Sequence, residues 1–247
     1  MAKKSHTGGS KSSLSGGQRQ LRTAVKTAHK RSASSARWLE RQLNDPYVAA
    51  SKREGFRSRA AYKLKEIDAR YHIFKAGQRV IDLGAAPGGW SQISAAVVKS
   101  AEGKGQVLAI DYLDIEPIAG VEILELDFTS PLAEDTLKAR LRDGGADVVL
   151  SDMAAPTIGH AKTDHMRIMA LAEQAAAFAA DVLAPGGVFL CKVLQGGTER
   201  DLLDFLKKNF SIVRHVKPPA SRSGSAELYV LASGFRGSPG ASRLKSL

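Results

Sequence analysis

The chain has 247 residues, with 36 Lys or Arg against 25 Asp or Glu, 43% hydrophobic residues and a single cysteine, Cys191. That length suits one sizeable α/β domain with attachments, and one cysteine excludes an intrachain disulfide, so a reducing cytoplasm is the expected compartment. No run of about eighteen apolar residues offers a membrane span and no signal-peptide core follows the basic N terminus, so no membrane is expected.

The charge is uneven along the chain. Nine cations, from Lys3 to Arg37, precede the first acid, Glu40. Removing them from the 36 basic residues leaves 27 against 25 acids, so the rest is nearly neutral and the N terminus holds most of the +11. Residues 1–35 are Ser-, Gly- and Lys-rich and are expected to be a disordered tail. Such a tail serves either as an electrostatic arm for RNA or as a solubilising segment. A mitochondrial transit peptide fits less well, since the tail lacks an arginine-studded amphipathic stripe. Residues 36–235 are expected to fold, and 236–247 are expected to be a second flexible tail.

From Ala36 to about Tyr71 the pattern is helical, with breaks near Asp45-Pro46 and Gly55. In "RSRAAYKLKEIDARY" Ser58 is the expected N-cap, and Ala60, Leu64, Ile67 and Tyr71 fall on one stripe. Strands are expected at Val80–Leu83, Gln106–Ile110, Glu122–Leu126, Asp147–Leu150, Val188–Val193 and Glu227–Ser233, with a weaker one at Ile212–Val216. Helices are expected between them at Ser91–Lys99, Pro131–Arg142, Asp164–Leu183 and Glu199–Asn209. Pro185-Gly186-Gly187 reads as the stop of the long helix. Alternating strands and helices predict an α/β fold with a mostly parallel sheet flanked by helices.

The stretch "DLGAAPGGW" runs from a buried strand through a glycine-rich turn into a helix. It lacks the Gly-Lys-Ser/Thr ending of a P-loop and the spacing of a dinucleotide fingerprint. Ligands of such sheets sit beyond the carboxyl ends of the strands. Here those ends carry Asp82, Asp111, Asp127, Asp152 and Lys192. Four acids around a turn without a phosphate-binding lysine suit a nucleoside whose hydroxyls and amine donate to carboxylates, joined to a cationic sulfonium. S-adenosyl-L-methionine has that chemistry; a nicotinamide dinucleotide is the rival, on the strength of the acid after the second strand. The six histidines are scattered without metal-ligand spacing, so no metal is expected.

With "DLGAAPGGW", "SDMA", "CKV" and "SRSGSAELYVLA" in place, the chain resembles the FtsJ (RrmJ) family from about Trp38 to Phe235. The resemblance implies a Rossmann-like S-adenosylmethionine-dependent methyltransferase with a mostly parallel seven-stranded sheet. It implies transfer of a methyl group to a ribose 2′-hydroxyl, closest to the bacterial branch acting on a uridine in 23S rRNA of the large ribosomal subunit. The family's Lys-Asp-Lys-Glu tetrad falls on Lys63, Asp152, Lys192 and Glu227, with Lys192 as proton acceptor. Its cofactor contacts fall on Gly88, Trp90, Asp111, Asp127 and Asp152. One departure is visible: relatives often have Pro directly after "SDMA", whereas here Ala155 precedes Pro156. A monomer acting on ribosomal RNA or the large subunit is expected, in the cytoplasm.

A 2′-hydroxyl is a poor nucleophile, so orientation and a positioned base are what a protein can add. A lysine accepts a proton only when neutral. Two roles therefore stay open for Lys192: base, or charge that orients the hydroxyl and stabilises the developing alkoxide. Cys191 must face away from Lys192, because side chains alternate along a strand, and it reads as a packed apolar residue. Asp82 reads as ligand or as structural acceptor for the glycine turn. Arg57, Arg59 and Arg222 read as RNA phosphate contacts near Lys63 and Glu227. Competing readings keep the chemistry but change the substrate to tRNA or an mRNA cap, or drop catalysis for an RNA-binding ribosome-assembly factor.

Overall fold

The computed structural model describes residues 23–24, 27, 29, 32–196 and 200–237. Most of the expected N-terminal tail and nearly all of the C-terminal one lie outside the described residues. The chain divides into two units, Met1–Asp45 and Pro46–Leu247. The first contains helix α1 (Ala33–Leu43), whose N-cap Ser32 accepts from the Ser35 amide at 3.3 Å. It begins inside the stretch expected to be tail.

The second unit opens with α2 (Pro46–Glu54) and α3 (Ala60–Tyr71), separated at the expected Gly55 break. Ser58 does not cap α3: the N-cap is Arg59, already in helical conformation, and the Ser58 hydroxyl has no hydrogen-bond partner. Seven strands follow: β1 (Arg79–Leu83), β2 (Gln106–Asp111), β3 (Glu122–Glu125), β4 (Ala146–Ser151), β5 (Leu183–Leu194), β6 (Phe210–Val216) and β7 (Glu227–Phe235). Between them lie α4 (Gly89–Val98), α5 (Ala133–Arg140), α6 (Ala161–Val182) and α7 (Arg200–Asn209). Pro185-Gly186-Gly187 lies within β5 rather than at the end of α6. The chain already turns extended at Leu183, because the residue before a proline, Ala184, disfavours helix.

The sheet order is β3-β2-β1-β4-β5-β7-β6. All pairs are parallel except those of β7, which runs antiparallel to both β5 and β6. Strand order reverses between β1 and β4, and the crevice at that switch point is where such a sheet can receive a ligand. The central strands are apolar on both faces because helices cover both. One face packs Ile81, Val149, Phe189 and Cys191 against Leu137, Phe178 and Leu206. The other packs Val80, Leu150, Leu190 and Tyr229 against Leu64, Ile67, Trp90 and Val98. Each of the larger side chains contributes about 1.5–3 kcal/mol by leaving water. No helix among the described residues is long and apolar enough to cross a membrane.

Candidate active site

β1 delivers the chain into the glycine turn. The Gly84 and Ala85 amides donate to the Ile110 carbonyl, which ties the turn to the end of β2. Gly84 sits at φ 74°, and a Cβ there would meet Met153 at 2.7 Å, so only glycine lets the β4 loop pass so close. Asp82, fully buried, accepts from the Ser91 hydroxyl at 2.6 Å through Oδ2, while its Oδ1 has no partner. Burial pushes its carboxyl up to about 7, the Ser91 bond opposing and the Asp152 and Asp111 charges reinforcing the rise. Asp82 is thus a structural acceptor beneath the turn.

Four strand and helix ends bring the predicted tetrad together. Lys63 comes from α3, Asp152 from the end of β4, Lys192 from β5 and Glu227 from the start of β7. Lys63 Nζ lies 2.8 Å from Glu227 Oε2 and 3.1 Å from the Tyr229 hydroxyl. That hydroxyl donates to Asp152 Oδ1 at 2.9 Å. Lys192 Nζ lies 3.2 Å from the same carboxylate oxygen and donates to the Asp152 carbonyl at 2.6 Å. Ser221 completes the chain by donating to Glu227 Oε1 at 2.9 Å.

The two lysines and Tyr229 are all buried. Burial alone would raise the Asp152 carboxyl, but the Lys192 and Lys63 charges and the Tyr229 hydroxyl outweigh it and hold the group below the usual carboxylate range. Burial, reinforced by the Asp152 and Glu227 charges, holds the Tyr229 phenol well above its ordinary value. Tyr229 therefore stays a neutral donor between two charged partners.

Beside this cluster a cavity of about 520 Å³ opens at the carboxyl ends of β1, β2 and β4, with Gly84, Asp111, Asp127, Asp152 and Met153 in its wall. Asp111 Oδ2 accepts from the Ala86 amide and Oδ1 from the Leu113 amide, both at 2.9 Å. Asp127 Oδ1 accepts from the Thr129 amide and hydroxyl, both at 2.8 Å. A carboxylate oxygen has two acceptor sites, so both groups keep capacity for a ligand's donors. Ala155 and Pro156 also line this wall.

A family profile described as FtsJ-like methyltransferase matches residues 56–235. The chain belongs to the FtsJ-like methyltransferase family. Relatives named ribosomal RNA large subunit methyltransferase E include one from Parvibaculum lavamentivorans, 62% identical over 229 residues, covering 90% of each chain. Another, from Paramagnetospirillum magneticum, is 56% identical over 241 residues, covering 94% of this chain and 98% of its own. A solved Plasmodium falciparum structure described as a ribosomal RNA methyltransferase shares 29% identity at a TM-score of 0.66, covering 74% of this chain and 100% of its own.

Two of the expected contacts in this FtsJ-like chain stand apart from the cavity wall. The space a Gly88 side chain would fill is taken by Ile118 and Arg57. Trp90 is buried, donates from Nε1 to the Ala60 carbonyl at 2.8 Å and packs its ring 5.6 Å from that of Tyr229. Its side chain braces α3 and the tetrad. Cys191 is packed in the core, its thiol pushed up to about 12 by burial. Tyr229 was the residue missed by reading the sequence. It lies two positions after Glu227 on β7, and strand periodicity places it on the same face.

Proposed function

We propose that this methyltransferase moves a methyl group from S-adenosyl-L-methionine to a ribose 2′-hydroxyl, that of a uridine in 23S rRNA of the large ribosomal subunit. The observation that carries the reading is the continuous side-chain chain Glu227–Lys63–Tyr229–Asp152–Lys192 abutting a carboxylate-lined cavity at the switch point. The relatives' names supply the RNA.

The cavity's donor set fits the cofactor. Asp111 would accept from the ribose hydroxyls and Asp127 from the adenine amine, while ionised Asp152 stands where a sulfonium would gain from negative charge. Gly88 and Trp90 would contribute main-chain atoms only. When bound, the cofactor supplies an electrophilic methyl group. The protein's own residues do the remaining work. Asp152 holds Lys192 through two oxygens, leaving one direction on its nitrogen for the substrate oxygen, an N–H when the amine is protonated and the lone pair when it is neutral. Lys192 then removes the 2′ proton or stabilises the alkoxide, and Lys63, held by Glu227 and Tyr229, adds positive charge across the same site. Orientation of this kind lowers the barrier by several kcal/mol.

We assign the folded catalytic part to residues 36–235, acting as a cytoplasmic monomer on rRNA or the large subunit, and the basic N terminus to RNA attraction. The test is to incubate the protein with isotopically labelled S-adenosylmethionine and large subunits from cells lacking it, then map the label. One 2′-O-methyluridine in 23S rRNA is the expected product. Label on a base, or only on tRNA or a capped mRNA, would replace this reading.

A further inference from the structure

Arg57 looks from the sequence like a cation for RNA phosphate, yet its guanidinium faces inward onto three main-chain carbonyls. Nη1 donates to Pro87 at 3.1 Å and to Glu116 at 2.5 Å, and Nη2 to Pro117 at 2.8 Å. Pro87 belongs to the glycine turn. Glu116 and Pro117 belong to the loop after β2, whose first residues, Tyr112 and Leu113, line the cavity next to Asp111. Three carbonyl dipoles converging on one point repel each other unless a cation sits between them. A planar fork with several fixed donors meets all three, whereas an ammonium offers one compact charge.

The surroundings support the same role. Ile118 and Arg57 fill the space over Gly88, and Ile115 buries against Ala85 and Ala109, giving the loop a small apolar footing on the turn. Asp111 ties the near end of the loop to Ala86. Among the hydrogen bonds of the described residues, those of Arg57 are the ones that link the far end of the loop to the turn. The arginine is itself anchored: its amide donates to Gln92 Oε1 at 2.9 Å, and Gln92 Nε2 donates to the Gly55 carbonyl at 3.1 Å, fixing the segment that enters α3 against α4.

We infer that Arg57 is a positioning residue that clasps loop 112–119 onto the glycine turn and so sets affinity for the S-adenosyl ligand, rather than a contact to RNA. The inference rests on the cavity being the S-adenosyl site. Arg57→Ala, Arg57→Lys and Ile118→Ala would be compared with wild type. The measurements are calorimetric affinity for S-adenosylhomocysteine, RNA affinity across a salt series, and kcat at saturation. All three variants should bind S-adenosylhomocysteine about tenfold more weakly, the size expected for losing charge-assisted hydrogen bonds or loosening the loop they hold. RNA affinity, its salt slope and saturated kcat should stay at wild-type values. Unchanged S-adenosylhomocysteine affinity, with an RNA salt slope reduced by about 0.7–0.9 in the alanine variant alone, would make Arg57 a phosphate contact and overturn the inference. Equal loss of both affinities in the lysine variant would make it a general fold element and overturn it too. If wild type itself fails to bind S-adenosylhomocysteine, the fault lies with the proposed function instead.

Discussion

The two ends of the crevice are built differently. At the tetrad end, side chains hold side chains: Lys63, Glu227, Tyr229, Asp152 and Lys192 are linked in one run, mostly buried. At the cavity end, Asp111 and Asp127 are held by the amides of their own loops and the glycine turn, and both remain open to solvent. Tyr112 and Leu113 stand 53% and 52% exposed at that end, which is high for large side chains in a cavity wall. A site that must orient a weak nucleophile needs its charges fixed before the substrate arrives. A site that must admit and release a cofactor needs acceptors still capable of exchange. The two constructions match the tasks proposed for them.

The sharpest way to break the comparison is at Lys192. Lys192→Ala should lower turnover by about 10²–10⁴-fold while leaving cofactor and RNA affinity near wild type, as single-turnover and binding measurements would show. Lys192→Arg should fail as well, since a guanidinium does not release its proton and its fork changes the geometry. Near-normal turnover in the arginine variant would favour charge stabilisation over proton removal. At the other end Asp111→Ala should do the reverse, weakening cofactor binding by about 10–100-fold with a smaller effect on saturated turnover. Unchanged affinity there would remove Asp111 from the ligand's surroundings.

A smaller effect should join the ends through Asp82. Its carboxyl stands at about 7 in the fold against 3.8 in the free residue. A raised acid binds its proton more tightly when folded, so its stabilising contribution is complete below about pH 4 and is lost as pH rises through 7. Wild type should therefore lose stability relative to Asp82→Asn between these limits, by at most a few kcal/mol at about 1.4 kcal/mol per pKa unit. Urea unfolding of both proteins at pH 5 and pH 8 would measure this. A pH-independent difference would mean Asp82 is charged throughout.

Much of this was readable in the sequence, for different reasons. Helix and strand alternation revealed the sheet, because apolar runs such as Val80–Leu83 and Gln106–Ile110 are bounded by turn residues. Strand ends marked Asp111, Asp127, Asp152 and Lys192 by position alone. Lys63 was not visible that way. Taken by itself it is a helix lysine, and its partner Glu227 lies 164 residues further on, so only the family motif pointed to it. The same motif points to Trp90, whose side-chain direction follows from packing against α3 and Tyr229, which no local pattern encodes. The carbonyl partners of Arg57 were invisible for a related reason: backbone acceptors have no signature in the sequence.

The central claim is that the Lys63–Asp152–Lys192–Glu227 tetrad acts on a ribose hydroxyl. It is tested most directly with two forms of the mapped target RNA, one unmodified and one carrying 2′-deoxyribose at the acceptor uridine. Both should bind with similar affinity, and only the unmodified form should receive labelled methyl. Methyl transfer to the deoxy form would place the acceptor on the base and contradict the account.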